Sequence, residues 1–319
     1  MKRLLRVREL STVAILIAEI IFFGWYLWPD GTRSHPFLNA ENFLLILKYS
    51  SIYGIAAVGA SVVIISGGID LAPGSIIALA SVVCAYLFVS AGWGLAPSMV
   101  CALLVGVGAG LLSSLLIVAV KLPPFIATLG VMGIIRGLAF IVTEGRYFDV
   151  SSKMSGGWRP MGLPADWVAP IVMIALAIVF QVLMTRFQWG RQIFAVGGNE
   201  TAALFSGIAV GRIKTSVYIL SGVLAAVAGV VLALVQGQGK ADLATGYELD
   251  IIASAVVGGA SLSGGRGSVM GAVLGTLIFG VLRNALPQIP GATFYDRLIV
   301  GLAVIVIVVM DQLLLKSSD

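Results

Sequence analysis

The chain has 319 residues, of which 59% are hydrophobic and only 11% are charged, and its mean hydropathy is +1.04. Soluble domains carry about 25% charged residues, so this composition excludes a soluble globule and indicates a protein of the lipid bilayer. The net charge of +5 falls mostly at predicted span ends, where it orients the chain, and we therefore expect no nucleic-acid partner.

The first predicted element is an apolar run from Ser11 to Trp28, preceded by four basic residues. It resembles a secretory signal, but it lacks a small-residue cleavage site. Trp25, Tyr26 and Trp28 instead form an aromatic belt where the run leaves the membrane. The sequence predicts an uncleaved first span with the N-terminus in the cytoplasm.

Further apolar segments are long enough to cross a bilayer, since a helix needs about 20 residues. They lie near 43–66, 70–90, 95–120, 125–143, 167–186, 213–235, 248–262, 267–284 and 295–314. We therefore predict an all-α, polytopic membrane protein with about ten transmembrane helices, some short or interrupted, in a single domain over 1–319.

The segment 248–262 is the exception, because its fifteen residues span only about 22 Å of a hydrocarbon core of about 30 Å. It is predicted to be tilted, re-entrant or broken. The alternative topology has nine full spans and a hairpin.

The distribution of Lys and Arg supports both termini in the cytoplasm, with eleven in the predicted inner segments against five outside. The longest outer loop is 144–166. It is rich in glycine and proline, and we expect it to fold onto the outer mouth.

The loop 187–214 is a basic, polar island that we place in the cytoplasm. Asn199 can cap a short helix from Glu200 to Phe205, and Gly207 is suited to end it in a left-handed conformation. Ala202 and Ala203 would line one side of this helix. The loop is either a docking element for another protein or an ordinary connection.

Glycines interrupt two apolar runs. In Val62–Ser75 the break contains Gly67, Gly68 and Asp70, and Asp70 can cap the helix that follows. A related pattern at Val256–Ser268 suggests a two-half repeat. Paired interrupted segments point to a translocation pathway, while the alternative is two glycine-rich turns at the inner surface. The candidate pathway residues are Gly67, Gly68, Asp70, Ser75, Gly258 and Gly259.

Several chemistries find no support. Cys84 and Cys101 lie in apolar runs and His35 is the single histidine, so disulfides and metal sites are not expected. No catalytic cluster appears, and we predict that the chain is not an enzyme. LSGGR at Leu262 resembles a nucleotide-binding signature, but no phosphate-binding G-x-x-x-x-G-K-[ST] loop accompanies it. If ATP drives this protein, another chain binds it.

Four motifs occur together: GGIDLAPGS at Gly67, LPPFIATLG at Leu122, GRQIFAVGGNETAALFSGI at Gly190 and AVVGGASLSGGRGSVMGAVLG at Ala255. With them the chain resembles, from about Asn39 to Leu314, the permease subunits of ribose-type ABC importers, whose broad family serves ribose, xylose, galactose, autoinducer-2 and related solutes.

The resemblance implies a core of two permeases, identical or paralogous, in a bacterial inner membrane. A periplasmic sugar-binding protein would deliver solute, and a cytoplasmic ATPase would bind ATP and magnesium, so that this chain needs no cofactor. The loop from Gly190 to Ile208 is expected to meet the ATPase. Its candidate coupling residues are Gly190, Arg191, Gly197, Gly198, Asn199, Glu200, Ala202, Ala203 and Gly207. The loop has Phe194, Thr201 and Phe205 where relatives often carry other residues.

An ion-coupled secondary transporter for a small polar solute is the alternative function. Such a protein needs titratable groups near mid-membrane. The acidic residues of this chain fall largely at predicted span ends, which counts against it.

Overall fold

The structure is a computed structural model. It describes residues 2–28, 37–154 and 163–295, together with residues 298, 301, 302, 305 and 309. Helices dominate it. They are α1 (Lys2–Tyr26), α2 (Ala40–Ile65), α3 (Pro73–Ala85), α4 (Leu95–Ser114), α5 (Pro124–Thr143), α6 (Ala165–Arg186), α7 (Gln188–Gly198), α8 (Glu200–Phe205), α9 (Val210–Gln236), α10 (Tyr247–Val257) and α11 (Val269–Ala285). Single π-helical turns extend α3 to Ser90 and α4 to Ala119.

Seven helices of the described part are long and apolar enough to cross a membrane. They are Ala40–Ile65, Pro73–Ser90, Leu95–Ala119, Pro124–Thr143, Asp166–Arg186, Val210–Gln236 and Val269–Gln288. Each corresponds to one of the ten predicted spans, which confirms the all-α, polytopic fold. The predicted first span lies in α1, whose apolar part Leu10–Tyr26 is shorter. The predicted span 295–314 lies mostly outside the described residues.

The two ends of the helix bundle carry different elements. Helices α7 and α8 lie at one end, which we call the α8 end. At the other, strand β1 (Tyr147–Asp149) pairs antiparallel with β2 (Gln238–Lys240), and we call this the sheet end. Strand β1 belongs to the predicted outer loop 144–166, of which residues 155–162 lie outside the described residues.

Helix α9 is the centre of the bundle and packs against α2, α3 and α4. Glycine allows its close approach to α4. A Cβ on Gly106 would collide with the backbone of Gly222, and a Cβ on Gly222 would collide with that of Gly106. Small residues at such crossings bring helix backbones into contact, which is how helices associate strongly within a membrane.

The first interruption separates α2 from α3. Its contacts with α9 show at which height in the bundle it lies. Gly68 lies beside Tyr218, and Asp70 is hydrogen-bonded to Ser221. Further on, Ile77 in the second turn of α3 lies against Gly229, which is nineteen residues, or about 28 Å, along α9 from Val210. Residues 66–72 therefore climb through the bundle as non-helical chain, and α3 begins near mid-height.

The second interruption lies between α9 and α10. The carbonyl of Gly237 accepts hydrogen bonds from Val150 and Ser151 at the sheet end. By Tyr247 the chain has descended to Tyr53, and the two rings lie 4.2 Å apart. Tyr53 is twelve residues, or about 18 Å, from the end of α2 at Ile65. Residues 237–246 therefore enter the bundle from the sheet end and stop at mid-height.

Helix α10 begins at this level and runs to the α8 end. Its eleven residues span about 16 Å, so it crosses only half of the bundle. The suspected short segment 248–262 is thus a half-helix preceded by non-helical chain, and a loop from Gly258 to Ser268 joins it to α11.

Helices α3 and α10 both start at mid-height and run in opposite directions. Their first turns touch, because a Cβ on Gly74 would collide with Glu248 and with the carbonyl of Ala244. The structural counterpart of 66–72 is therefore 237–246. The segment that the sequence pairs with Val62–Ser75, Val256–Ser268, contains a further non-helical stretch at the α8 end, against Gly67, and the two-half repeat stays a prediction.

The glycine crossing of α4 and α9 predicts a contrast between two substitutions. Gly106→Val should lower the free energy of unfolding by about 1–3 kcal/mol, because the side chain has no room against Gly222. Gly108→Val, two residues along the same helix, should have little effect, since a Cβ there meets nothing within 4 Å. Thermal unfolding of the purified proteins in detergent compares them. Equal losses would contradict the packing.

Candidate functional site

The predicted helix in the loop 187–214 is present as α8. The side-chain oxygen of Asn199 accepts a hydrogen bond of 2.9 Å from the amide of Ala202, which confirms the predicted N-cap. Gly207 has a φ of +80°, the left-handed conformation expected of it. Sequence reasoning thus located both ends of this helix.

Helix α8 is attached to α9 and to the preceding helix α7. The carboxylate of Glu200 pairs with Lys214 of α9 at 2.6 Å, although the exposure of Glu200 keeps the contribution of this pair small. The indole of Trp189 in α7 donates a 2.9 Å hydrogen bond to Ser216 of α9. The two short helices are therefore held against the long central one.

The turn into α7 explains two further predicted residues. Gly190 packs on the backbone of Met184, where a Cβ would collide. Arg191 donates a 3.1 Å hydrogen bond to the carbonyl of Arg186, at the end of α6. Both residues fix the angle between α6 and α7. Gly190 does so through its backbone and Arg191 through its side chain.

The surface of α8 differs from the prediction in one respect. Ala202 is exposed, but Ala203 is only 4% exposed and packs into the protein. The exposed apolar side chains are Leu204 at 59% and Phe205 at 86%. Ala203 and Phe205 are two positions apart and so lie on opposite sides of the helix. The sequence therefore contains the signal that Phe205 is exposed when Ala203 is buried. Exposed aromatic residues in a polar loop are typical of protein interfaces.

Backbone contacts between glycines join α7 to both glycine motifs. We call Gly67, Gly197, Gly198, Gly264 and Gly265 the glycine junction. A Cβ on Gly197 would collide with the carbonyl of Ile65 and with the amide of Gly265, and that amide donates a 2.8 Å hydrogen bond to the same carbonyl. Three separate chain segments therefore meet at one point, at the α8 end.

The junction continues into the loop after α10. Gly264 and Gly265 have φ values of +77° and +70°, which favour glycine. Gly264 packs on Gly67 and Gly197, and Gly265 packs on Gly198. The first interrupted segment, the end of α7 and the loop after α10 are thus in direct contact.

Asp70 is buried and acts within the protein. Its carboxylate accepts a 3.0 Å hydrogen bond from the amide of Ala72 and a 2.8 Å hydrogen bond from the hydroxyl of Ser221. Ala72 is the residue that precedes the first turn of α3. The predicted capping of α3 by Asp70 is therefore wrong: Ala72 is the N-cap, no side chain caps the helix, and Asp70, two residues earlier, holds the turn before it.

The other predicted pathway residues are dispersed. Gly67 is exposed at the glycine junction, whereas Gly68 is buried beside Tyr218. Ser75 is fully buried in the first turn of α3. Gly258 is buried against Gly271, and Gly259 has a φ of +96°. Contact of these residues with solute stays a prediction.

Some acidic residues lie deeper than the sequence indicated. Glu248 and Asp250 stand at the start of the predicted segment 248–262, which predicts a position near a span end, but α10 begins at mid-height and both are in its first turn. Asp250 is 2% exposed and pairs with Arg283 at 2.7 Å. The segment 237–246, which reads as an outer loop, carries them inward.

Within residues 2–28, 37–154 and 163–295, no group of three or more His, Cys, Asp or Glu side chains could hold a metal ion. What the fold offers instead is a bundle of apolar helices, two of which, α3 and α10, start at mid-height. The end of α7 contacts both glycine motifs, and the exposed short helix α8 follows it directly. Discontinuous helices that meet at mid-membrane are typical of transport proteins. The fold and the site together define a membrane permease.

Comparison with known proteins specifies the family. The family described as "Branched-chain amino acid transport system / permease component" matches residues 42–309, and the chain belongs to it. Although that description names amino acids, the similar curated proteins are sugar permeases, which confirms the resemblance to the permeases of ribose-type ABC importers.

Three of these relatives span nearly the whole chain. The ribose import permease protein of Bacillus subtilis (strain 168) is 38% identical over 86% of this chain and 86% of its own length. The D-allose transport system permease protein of Escherichia coli (strain K12) is 34% identical over 96% and 92%. The fructose import permease protein of Rhizobium meliloti is 33% identical over 95% and 85%. No solved structure gives a significant match.

The glycine junction predicts different effects for two neighbouring glycines. Gly197→Ala should lower the free energy of unfolding by about 1–3 kcal/mol, because the new methyl collides with the backbone of Ile65 and Gly265. Gly198→Ala is the control, since a Cβ there meets nothing within 4 Å. Thermal unfolding in detergent measures both. A Gly197→Ala protein as stable as Gly198→Ala would show that the junction is not closely packed.

Proposed function

We propose that the chain is the permease subunit of a binding-protein-dependent ABC importer, which moves a monosaccharide or a similar polyhydroxylated solute across the bacterial inner membrane. The relatives named for ribose, D-allose and fructose support this class of solute. A separate subunit hydrolyses ATP, and this chain makes no covalent change in its substrate.

The observation that carries the proposal is the exposed face of α8. Leu204 and Phe205 project from a helix that is capped at Asn199 and supported from behind by buried Ala203. A cytoplasmic ATPase that receives Phe205 in an apolar pocket would cover both side chains. Aromatic residues fixed at the centre of an interface commonly supply most of its binding energy.

The same geometry supports a route from the ATPase to the pathway. When the ATPase pair closes, it moves α8 and the end of α7. Gly197 and Gly198 then act on the carbonyl of Ile65 and on Gly265 through backbone contacts, with no flexible side chain between them. The motion reaches both 66–72 and α10, which meet at mid-height, and it exposes the pathway alternately to each side.

The remaining partners complete this assembly. A second permease copy, identical or paralogous, forms the other wall of the pathway, and a periplasmic binding protein releases solute at the sheet end. The exposed Arg186, Arg191 and Arg212 lie at or near the α8 end, which favours this end as cytoplasmic. In this orientation both termini are in the cytoplasm.

An ion-coupled secondary transporter is the second candidate. It is favoured by one observation, the mid-height position of Glu248 and Asp250. Asp250 already has a cationic partner in Arg283, which suits a structural ion pair better than a proton carrier. Membership of a permease family with sugar-importing relatives supports the ABC importer over this alternative.

The α8 surface predicts that Phe205→Ala weakens binding of the partner ATPase. A central aromatic anchor contributes about 2 kcal/mol or more, so the dissociation constant should rise about 30-fold or more. Titration of the ATPase onto the permease in lipid nanodiscs measures binding. ATP-dependent uptake of radiolabelled D-ribose, D-allose or D-fructose into proteoliposomes measures transport.

Phe205→Leu is the matched control, because it keeps an apolar side chain at the same position and should retain most of the binding. If Phe205→Ala binds the ATPase as the wild type does, α8 is not the docking helix. If wild-type uptake needs no ATPase and follows a proton or sodium gradient, the secondary transporter is the correct function.

A further inference from the structure

Helix α5 exposes three glycines on one side, bordered by the exposed side chains of Ile126, Ile134 and Ile141. Gly130, Gly133 and Gly137 are all exposed, and a Cβ on any of them would meet nothing within 4 Å. Their spacing of three and four residues puts them on one side of the helix. Gly133 is the tenth of the twenty residues of α5, so this shallow groove crosses mid-height.

A polar patch borders this groove. Arg136 of α5 donates hydrogen bonds of 2.7 and 2.8 Å to the carbonyls of Ala241 and Leu243. These two residues belong to the non-helical segment that descends from the sheet end. Asp242 and Thr245 of that segment are exposed, so polar side chains reach the surface of the protein beside Arg136.

The position of the patch is unusual for a surface of the bundle. Arg136 is the thirteenth residue of α5, about 18 Å from the start of that helix, and Tyr247 lies against the middle of α2. Non-helical backbone and charged side chains at this depth do not face lipid; they face protein or a water-filled cavity. The exposed side of the patch therefore faces another protein chain or water, and not lipid.

The chemistry of the patch suits an uncharged solute with many hydroxyl groups. Arg136 and Lys240 balance Asp242 and Glu248 in formal charge, and both hydrogen-bond donors and acceptors are available. Oxygen Oε2 of Glu248 is buried and has no hydrogen-bond partner among the described residues. Its negative charge lies close enough to attract the guanidinium of Arg136.

We propose that Arg136, Asp242 and Thr245, together with the glycine face of α5, form the wall of the translocation pathway that a neutral, polyhydroxylated solute touches. This proposal rests on the proposed function for the direction and energy of transport. The glycine groove supplies room for a sugar ring at mid-height, and the polar patch exchanges hydrogen bonds with its hydroxyls as it passes. The same face of the second permease copy forms the opposite wall.

Thiol labelling tests whether this face is wet. The permease is assembled with its ATPase and binding protein in proteoliposomes, in a background where Cys84 and Cys101 are changed to alanine. Thr245→Cys and Gly133→Cys should react with a charged methanethiosulfonate reagent at least about tenfold faster than Gly108→Cys, because charged reagents react in water and not in lipid. Gly108 is the matched control, an exposed glycine of α4 with open space around it.

Protection by sugar tests contact with solute. D-ribose, D-allose and D-fructose are added in turn at saturating concentration, and the sugar that the complex transports should slow labelling of Thr245→Cys severalfold. Labelling no faster than at Gly108→Cys would overturn the proposal, because the face would then be dry. Rapid labelling that the transported sugar leaves unchanged would also overturn it, because the solute would then pass elsewhere.

A second pair of variants gives a functional measurement. Gly133→Leu should abolish uptake by filling the groove, whereas Gly108→Leu should transport normally; equal uptake by both would contradict the proposal. The ATP requirement of wild-type uptake is measured in the same vesicles. Ion-driven uptake with labelling and protection as expected would defeat the proposed function and leave this pathway wall standing. ATP-driven uptake without labelling would support the proposed function and overturn the assignment of this pathway wall.

Discussion

The structure depends on one constraint: in a membrane, each backbone polar group needs a partner within the protein or in water. Two segments at membrane depth, 66–72 and 237–246, are not helical. Side chains supply hydrogen bonds to their backbone instead. The hydroxyl of Thr128 donates to the carbonyl of Ile69, and Asp70 accepts from the amide of Ala72. Arg136 supplies both hydrogen bonds to the descending segment. The breaks are therefore fixed parts of the fold.

Fixed breaks become useful when something moves them together. The end of α7 touches the first break at Ile65 and the loop after α10 at Gly265, and each contact is between backbones. Glycine at these positions removes the side chains that would otherwise absorb a displacement. A short helix on the surface is thus connected by packing alone to the first turns of α3 and α10, about 18 Å deeper in the bundle.

The sequence predicts most of this fold and the outline of the site. Apolar length located seven helices, and capping chemistry located α8 and Gly207, because these signals depend on neighbouring residues only. Composition could not show that 237–246 returns to mid-height, because its glycines and polar residues read as an ordinary outer loop. The span-end position expected for Glu248 follows from that. The glycine junction depends on contacts between residues more than sixty positions apart, which no local pattern encodes.

The most direct test of the account asks from which side of the membrane a thiol reagent reaches the middle of the bundle, with and without bound nucleotide. The assembled complex carrying Thr245→Cys is treated with an impermeant thiol reagent on the outer or the inner side, with and without a non-hydrolysable ATP analogue bound to the ATPase. We predict that the reactive side changes when the analogue binds, because the ATPase moves α8 and, through the glycine junction, both breaks. Reactivity from the same side in both states would contradict ATP-driven alternating access through this chain.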